Sequence, residues 1–293
     1  DDYGGLFTPK TVSAKDGTPD TLTLLGTALG TKNRASQAWS WVSAPPPTDR
    51  GHYNNNAPWP DGRENLRTGD WIIYIEPNTK RLLTAPEPNS KTERTWLFPY
   101  PGSGSSPHPD PLEPGAVVFG LQSGTTDSAE KATQPFYAVQ YNWGGTSPSL
   151  CDSGTRSLLR AVSRKNPAPA GGYPLLACVL GFQVAFGLDV NEDGLIDCWD
   201  NGGTEAANYP NEILRTRLKQ VRAYILVQTG KRDRAYTYSN QANPGNPEMI
   251  RVGDSLLTAC EGGGVGEDIT LSDEQRRYRW HVIAVSVMPR NVR

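Results

Sequence analysis

Short stretches in which branched or aromatic residues recur, with turn formers at both ends, punctuate this chain. Residues 20–26, 69–75, 80–84, 96–98, 116–121 and 136–141 read as strands on that pattern. After Cys151 the pattern tightens, and 156–162, 181–188 and 222–228 are further strand candidates. Near the end, Trp280, Val282, Ala284 and Ser286 alternate with His281, Ile283, Val285 and Val287. That period of two predicts a closing strand over 279–287 with one buried face. One helix is expected over 211–221, where Pro210 stands beside the start and Ile213, Leu214, Leu218 and Val221 fall three to four apart.

Residues 44–47, 52–62 and 165–172 carry Pro, Gly and Asn without periodicity and read as loops, and the Ser/Gly/Pro run 101–109 is the clearest exposed loop. There is no internal repeat, and no linker is long enough to separate distinct domains. The expectation is therefore one α+β domain over 1–293, dominated by antiparallel sheet with long loops. Within it, 1–145 forms a strand-and-loop-rich sub-region, and 146–293 holds the cysteines and an acidic loop.

Composition agrees with this picture. Among 293 residues there are 30 Gly and 25 Pro, both poor in helix interiors. The charge balance, 29 Lys and Arg against 31 Asp and Glu for a net charge of −2, lacks the basic excess of a typical nucleic-acid binder, and no nucleic-acid partner is expected. No apolar run approaches the roughly 18 residues of a membrane span. The chain opens on Asp1 rather than Met, so it reads as a fragment or a processed product. Cys151, Cys178, Cys198 and Cys260 lack the C-x-x-C spacing of a zinc or redox motif. They read as two disulfides of an exported protein, with all three pairings open.

The sharpest chemical signal is the segment from Asp189 to Asp200. Oxygen-bearing side chains stand at its first, third, fifth, ninth and twelfth places (Asp189, Asn191, Asp193, Asp197 and Asp200), with Gly194 sixth and the carbonyl of Leu195 seventh. Calcium takes six to eight hard oxygen ligands, and a glycine at the sixth place permits the turn that gathers them. A structural Ca2+ site is expected, weakened by Asp200 in place of the usual Glu; an acidic turn without an ion is the alternative. Residues 182–188 ahead of it read as a strand, so the loop is not set in an EF-hand. Ile196 would pin it to the core.

Catalytic signatures are scarce. His52, His108 and His281 share no local pattern, and no H-E-x-x-H, G-x-S-x-G or phosphate-binding loop is present. No catalytic residue is assigned, and the chain is expected not to be an enzyme. The glycine-rich run 261–266 reads as a flexible loop. Basic residues from Arg215 to Arg234 and from Arg276 to Arg279 read as a solvated face or as partners of a neighbouring subunit. Trp39 and Trp41, two apart, would share a strand face, and with Trp59 they offer a surface for carbohydrate.

Five segments, 20–30, 155–161, 182–189, 221–227 and 278–291, taken in that order, resemble the PilW-type minor pilins of bacterial type IV pili, relatives of the J-type pseudopilins of type II secretion. The resemblance extends over nearly the whole chain. It implies a pilin-like globular domain whose antiparallel sheet packs against an apolar N-terminal helix, a helix this sequence lacks. It further implies a prepilin-like precursor, membrane-inserted before assembly, and partners among minor and major pilins and a tip adhesin. The expected location is a cell-surface or extracellular pilus, reached through the periplasm and inner membrane. Three functions stay open: a minor pilin or pseudopilin in assembly, an adhesin or glycan-binding module displayed through Trp39, Trp41 and Trp59, and a secreted calcium-stabilised hydrolase.

Overall fold

The computed structural model describes residues 10–11, 19–26, 34–44, 52–53, 59–86, 94–100, 109, 112, 114–123, 137–163, 172–202 and 204–289. The strands in the first half are β1 (Lys10–Thr11), β2 (Leu22–Gly26), β3 (Trp39–Ala44), β4 (His52–Tyr53), β5 (Trp71–Ile75), β6 (Ala85–Pro86), β7 (Arg94–Thr95), β8 (Phe98–Pro99) and β9 (Val117–Gln122). Those that follow are β10 (Tyr137–Gly144), β11 (Arg156–Ser163), β12 (Tyr173–Leu188), β13 (Cys198–Asp200), β14 (Leu218–Thr229), β15 (Met249–Thr258), β16 (Gly264–Thr270) and β17 (Arg279–Val287). One short α-helix, α1 (Asn211–Arg217), precedes β14. The result is a mixed α+β fold dominated by antiparallel sheet with long loops. No helix among the described residues is long and apolar enough to cross a membrane.

Two compact units share the chain: Asp1–Leu6, Leu25–Ala138 and Ser163–Ala168 in one, Phe7–Leu24, Val139–Val162 and Pro169–Arg293 in the other. The large sheet runs β1-β2-β10-β11-β12-β14-β17, with β13 added on β12. Its hub is β12, which is sixteen residues long and buried throughout its second half. Phe182, Val184, Phe186 and Leu188 pack on one face with Leu214, Leu218 and Ile225. Ala185, on the other face, joins Trp199, Tyr224, Leu226, Ile250, Val252 and Val265. A strand covered on both faces reads as a near-continuous apolar run, which is what residues 182–188 show. Gly187 has a steric reason to lack a side chain: a Cβ there would lie 2.8 Å from Ile196 Cδ1 and 3.2 Å from the Trp199 ring.

One edge of β12 pairs with β14 over residues 179–188. The opposite edge is shared, with β11 reaching Val179 and β13 taking over at Phe186. Asp20 fills the interval. Its backbone N–H donates to Phe182 O at 2.7 Å and its Oδ2 accepts from Val184 N at 2.7 Å, all within the buried interior.

In the other unit a five-stranded sheet runs β4-β3-β9-β5-β8. Val42, Ile72, Tyr74, Phe98, Tyr100 and Val118 form its core, with Tyr74 and Phe98 edge to face at 5.3 Å between centroids.

The cysteines pair as Cys151–Cys178 and Cys198–Cys260, and none is free. The second bridge ties β13 to the turn after β15, where Cys260 N also donates to Trp199 O at 2.9 Å.

Several elements differ from the sequence pattern. The helix stops at Arg217, and Leu218 already has extended backbone, because β14 is drawn into pairing with β12 from its first residue. Around 80–84 only Leu82 bridges, to Ile75, and the strand pairing lies at Ala85–Pro86; similarly 96–98 gives way to pairs on either side at β7 and β8. The glycine run is not a loose loop. Gly262 and Gly263, at φ of +92° and +83°, make a tight turn, and Gly264 begins β16, so 249–270 is a hairpin. The closing strand has no fully buried face, since β17 lies at the edge of the sheet and its residues are half-buried or exposed.

Candidate functional site

The acidic loop bridges β12 and β13, and its base is closed by two backbone bonds, Asp189 N to Arg217 O and Asp197 N to Leu188 O, both 2.9 Å. Asp189 is buried; its Oδ1 accepts from Asp193 N at 3.0 Å and its Oδ2 from Gly194 N at 2.9 Å. Asn191 Oδ1 also accepts from Asp193 N, and Asp193 Oδ1 from Leu195 N. Asp197 Oδ2 receives Val190 N at 2.7 Å and Asn191 N at 3.0 Å. Gly194 takes φ +94°, a conformation that L side chains rarely adopt. Beneath the loop Ile196 packs into the core beside Trp199, while Leu195 points outward, 69% exposed.

Asp189, Asn191, Asp193 and Asp197 are thus brought together, and Asp200 is not. Asp200 is fully buried on β13, where its Oδ1 accepts from Gly202 N and Thr204 N and its Oδ2 from Ala206 N at 2.7 Å. It organises the following turn.

The loop's carboxylates are met by a neutral amide and by two cationic side chains. Asn191 Nδ2 donates to Asp197 Oδ1 at 3.0 Å and Asp193 Oδ2 at 3.3 Å. Lys219 Nζ lies 3.0 Å from Asp189 Oδ2, and Arg217 pairs with Glu192 at 3.1 Å. Burial alone would raise the Asp189 carboxyl pKa, but Lys219 and the Gly194 N–H outweigh it and hold the group below its ordinary value. Among the described residues no three His, Cys, Asp or Glu side chains converge as metal ligands. Lys219 and Arg217 are members of the loop's charge network that the local spacing did not reveal. Arg217 is the last residue of α1 and Lys219 the second of β14, and the pairing of β14 with β12 brings both to the loop.

The tryptophans expected to share a surface do meet. Trp39 and Trp41 lie 6.2 Å apart between ring centroids, Trp39 and Trp59 stack at 4.2 Å, and Trp41 meets Trp59 edge-on at 5.8 Å. All three are half-buried. Opposite them on β9 stand Phe119 and Val117, which are likewise half-buried. Asn65 seats Trp59 by accepting from its N–H at 3.1 Å and donating to its carbonyl at 2.8 Å. Trp59 Nε1 donates to Trp39 O at 2.9 Å, and Trp39 N to Glu64 O at 3.0 Å. Asn65, a buried side chain the sequence pattern did not single out, therefore holds the 59–65 turn against β3. Beside it, the bidentate Arg63 pair holds the Asp61 carboxyl down to about 2.

The remaining candidates are dispersed. His108 lies outside the described residues, His52 is on β4, and His281 is exposed on β17. Much of the basic group is engaged within the chain rather than held for a neighbour. Arg222 pairs with Asp254, Arg232 with Glu274 and Arg279 with Asp233. Arg276 donates to Tyr238 O and Arg277 to Tyr236 O and Thr237 Oγ1, which braces the 231–240 loop. Compared with protein-family models, with curated proteins and with solved structures, the chain shows no match in any of the three.

Proposed function

We propose that this chain is a non-enzymatic subunit of type IV pilus assembly, a minor pilin of the PilW type; the related J-type pseudopilin is the alternative. One observation carries the reading. The five segments on which the resemblance rests contain or overlap β2, β11, β12, β14 and β17, and all five strands belong to one sheet. The similarity thus follows a single structural element rather than scattered matches.

A second feature supports it. The last two strands at one margin of the sheet, β14 and β17, present an incompletely covered apolar face, with Val221, Ala223 and Ile283 half-buried and Val285 and Val287 exposed to 45% and 54%. An apolar helix of the kind the resemblance implies would find its seat there. The acidic loop is proposed as a structural calcium loop. Asp189, Asn191, Asp193, Asp197 and the Leu195 carbonyl would hold the ion once Asn191 turns its amide oxygen inward, and Asp200 stays with its own turn.

The test is the N-terminal peptide mass of the native protein, recovered from membranes and sheared filaments of its own cells. An N-methylated first residue, followed by about 20 apolar residues ahead of Asp1, is the expected result. A mature chain that starts at Asp1 and is found free in the medium would overturn the reading.

A further inference from the structure

The large sheet ends on β17, which has one neighbouring strand among the described residues, β14. The outer edge of such a strand carries backbone N–H and C=O groups that can pair with another strand about 4.8 Å away. Natural edges are usually blunted by a proline, a bulge or an inward-pointing charge. β17 has none of these: it pairs with β14 over nine residues without a register shift, and Arg279, at its exposed start, is its one Lys, Arg, Asp or Glu residue.

The two halves of the strand differ. At its start, Arg279 Nη2 donates to Asp233 Oδ2 at 3.0 Å, Arg279 O accepts from Thr229 Oγ1 at 3.2 Å, and Trp280 Nε1 donates to Gln275 O at 2.8 Å. This half is engaged with the chain's own residues. From Ala284 to Met288 every residue is exposed, and Val285, Val287 and Met288 are among the large apolar side chains left in solvent. The open half of the edge is therefore its charge-free half.

Antiparallel pairing of that half with a second copy of itself fits residue by residue. With a two-fold axis at Val285, Ile283 faces the second copy's Val287, Ala284 faces its Ser286, Val282 faces its Met288, and Val285 faces its own equivalent. No charge opposes a charge, because Arg279 falls beyond the paired span at one end and Pro289, without an N–H, closes it at the other. An axis at Ile283 would instead lay Arg279 against Val287. The strand behind extends the match, since Val221 lies beside Val287, Ala223 beside Val285 and Ile225 beside Ile283. One face of the joined sheet would then carry rows that are apolar across four strands, and β-branched residues pack well on such a pleated surface. An unrelated strand would gain the same backbone bonds, but a copy of β17 supplies this register by symmetry, and an isologous contact closes at two subunits. We propose that the chain forms a two-fold dimer in which β17 pairs antiparallel with β17 of a second copy about Val285. The contact lies in the plane of the sheet, leaves its apolar face open, and stands or falls separately from the pilin reading.

The test is sedimentation velocity of the disulfide-intact chain over a concentration series reaching about 500 µM. Expected is a reversible monomer–dimer equilibrium with a dissociation constant of about 1–100 µM, the weak range of a small interface. Val285→Lys sets two ammonium groups opposite each other and should weaken the dimer by about tenfold or more, as should Val285→Glu, whereas an equimolar mixture of the two variants should dimerise again. Leu256→Lys, at an exposed position on the β15–β16 hairpin, should leave the equilibrium unchanged. Amide hydrogen exchange adds a check that needs no variant, since protection over residues 282–288 should rise with protein concentration. A parent chain that stays monomeric up to about 500 µM would overturn the proposal, as would a dimer that Val285→Lys leaves intact, a mixture that stays monomeric, or protection gained only elsewhere. Association beyond the dimer would mean open-ended contacts and equally overturn it.

Discussion

Asp20 does with one backbone N–H and one carboxylate oxygen what a neighbouring strand does with its backbone alone. Between the end of β11 pairing at Val179 and the start of β13 pairing at Phe186, the buried edge of β12 would leave polar groups without partners. Asp20 supplies a donor to Phe182 O and an acceptor for Val184 N. Removing the carboxylate strands a buried N–H, and such a loss costs about 1–3 kcal/mol. Asp20→Ala is expected to lower unfolding stability by that amount in urea titrations, and Asp20→Asn, which keeps an oxygen acceptor, by less. Equal losses in the two variants would mean that the charge, and not the hydrogen bond, is what matters. Nothing about Asp20 announces this role in the sequence, where it is one turn former at the head of a strand pattern. The partner that defines it is more than 160 residues away.

At the level of elements, legibility followed how local the cause was. The core strand shows because its burial is written as an apolar run, 181–188 lying within β12, and the alternation over 279–287 gave the extent of β17 but not its exposure at the sheet edge. Where β17 sits was not legible, because apolar residues occupy both of its faces and only pairing decides that it closes the sheet. The hairpin β15–β16 was hidden by its glycines. Gly253 and Gly266 face each other across it so closely that a Cβ on Gly253 would lie 2.2 Å from Val265 O, so residues that read as loop formers mark a close strand approach. The pairing Cys198–Cys260 depends on the same hairpin and was one of three possibilities in the sequence.

The acidic loop shows the same division. Its turn chemistry was readable, since Asp189, Asn191, Asp193, Asp197 and Gly194 all serve one loop, but Asp200 is claimed by the amides of Gly202, Thr204 and Ala206. Calcium bound to the folded loop and not to the unfolded chain must raise apparent stability, by about 2.7 kcal/mol at a hundredfold excess over its dissociation constant. Thermal unfolding in excess calcium against chelator should therefore show a higher midpoint with the ion, and Asp193→Ala should remove the difference. Asp200→Asn should lower the midpoint yet keep the response, because its side chain serves the next turn. An identical midpoint with and without the ion in the parent protein would leave the loop as an acidic turn neutralised by Lys219 and Arg217 alone.

For the molecule as a whole, the decisive surface is the outer margin of the large sheet. Sheet edges in natural proteins are generally covered, charged or bent, yet β17 pairs with β14 over nine residues in unbroken register and carries Ile283, Val285 and Val287 along one face. Its charged residue, Arg279, is at the far end and is held by Asp233 and the Tyr236 ring. An apolar margin of this kind is stable in a filament subunit if another apolar element lies on it. The double variant Val285→Asp with Val287→Asp separates that role from folding, because exposed positions tolerate substitution within about 0.5 kcal/mol. The chain should keep both disulfides and nearly its parent stability; on the pilin reading proposed above, the same change in the protein made in its own cells should reduce its recovery in sheared filaments and leave it in the membrane fraction. Normal incorporation of the variant would show that assembly does not use this face, and would remove the structural support that the exposed strip gives to the pilin reading.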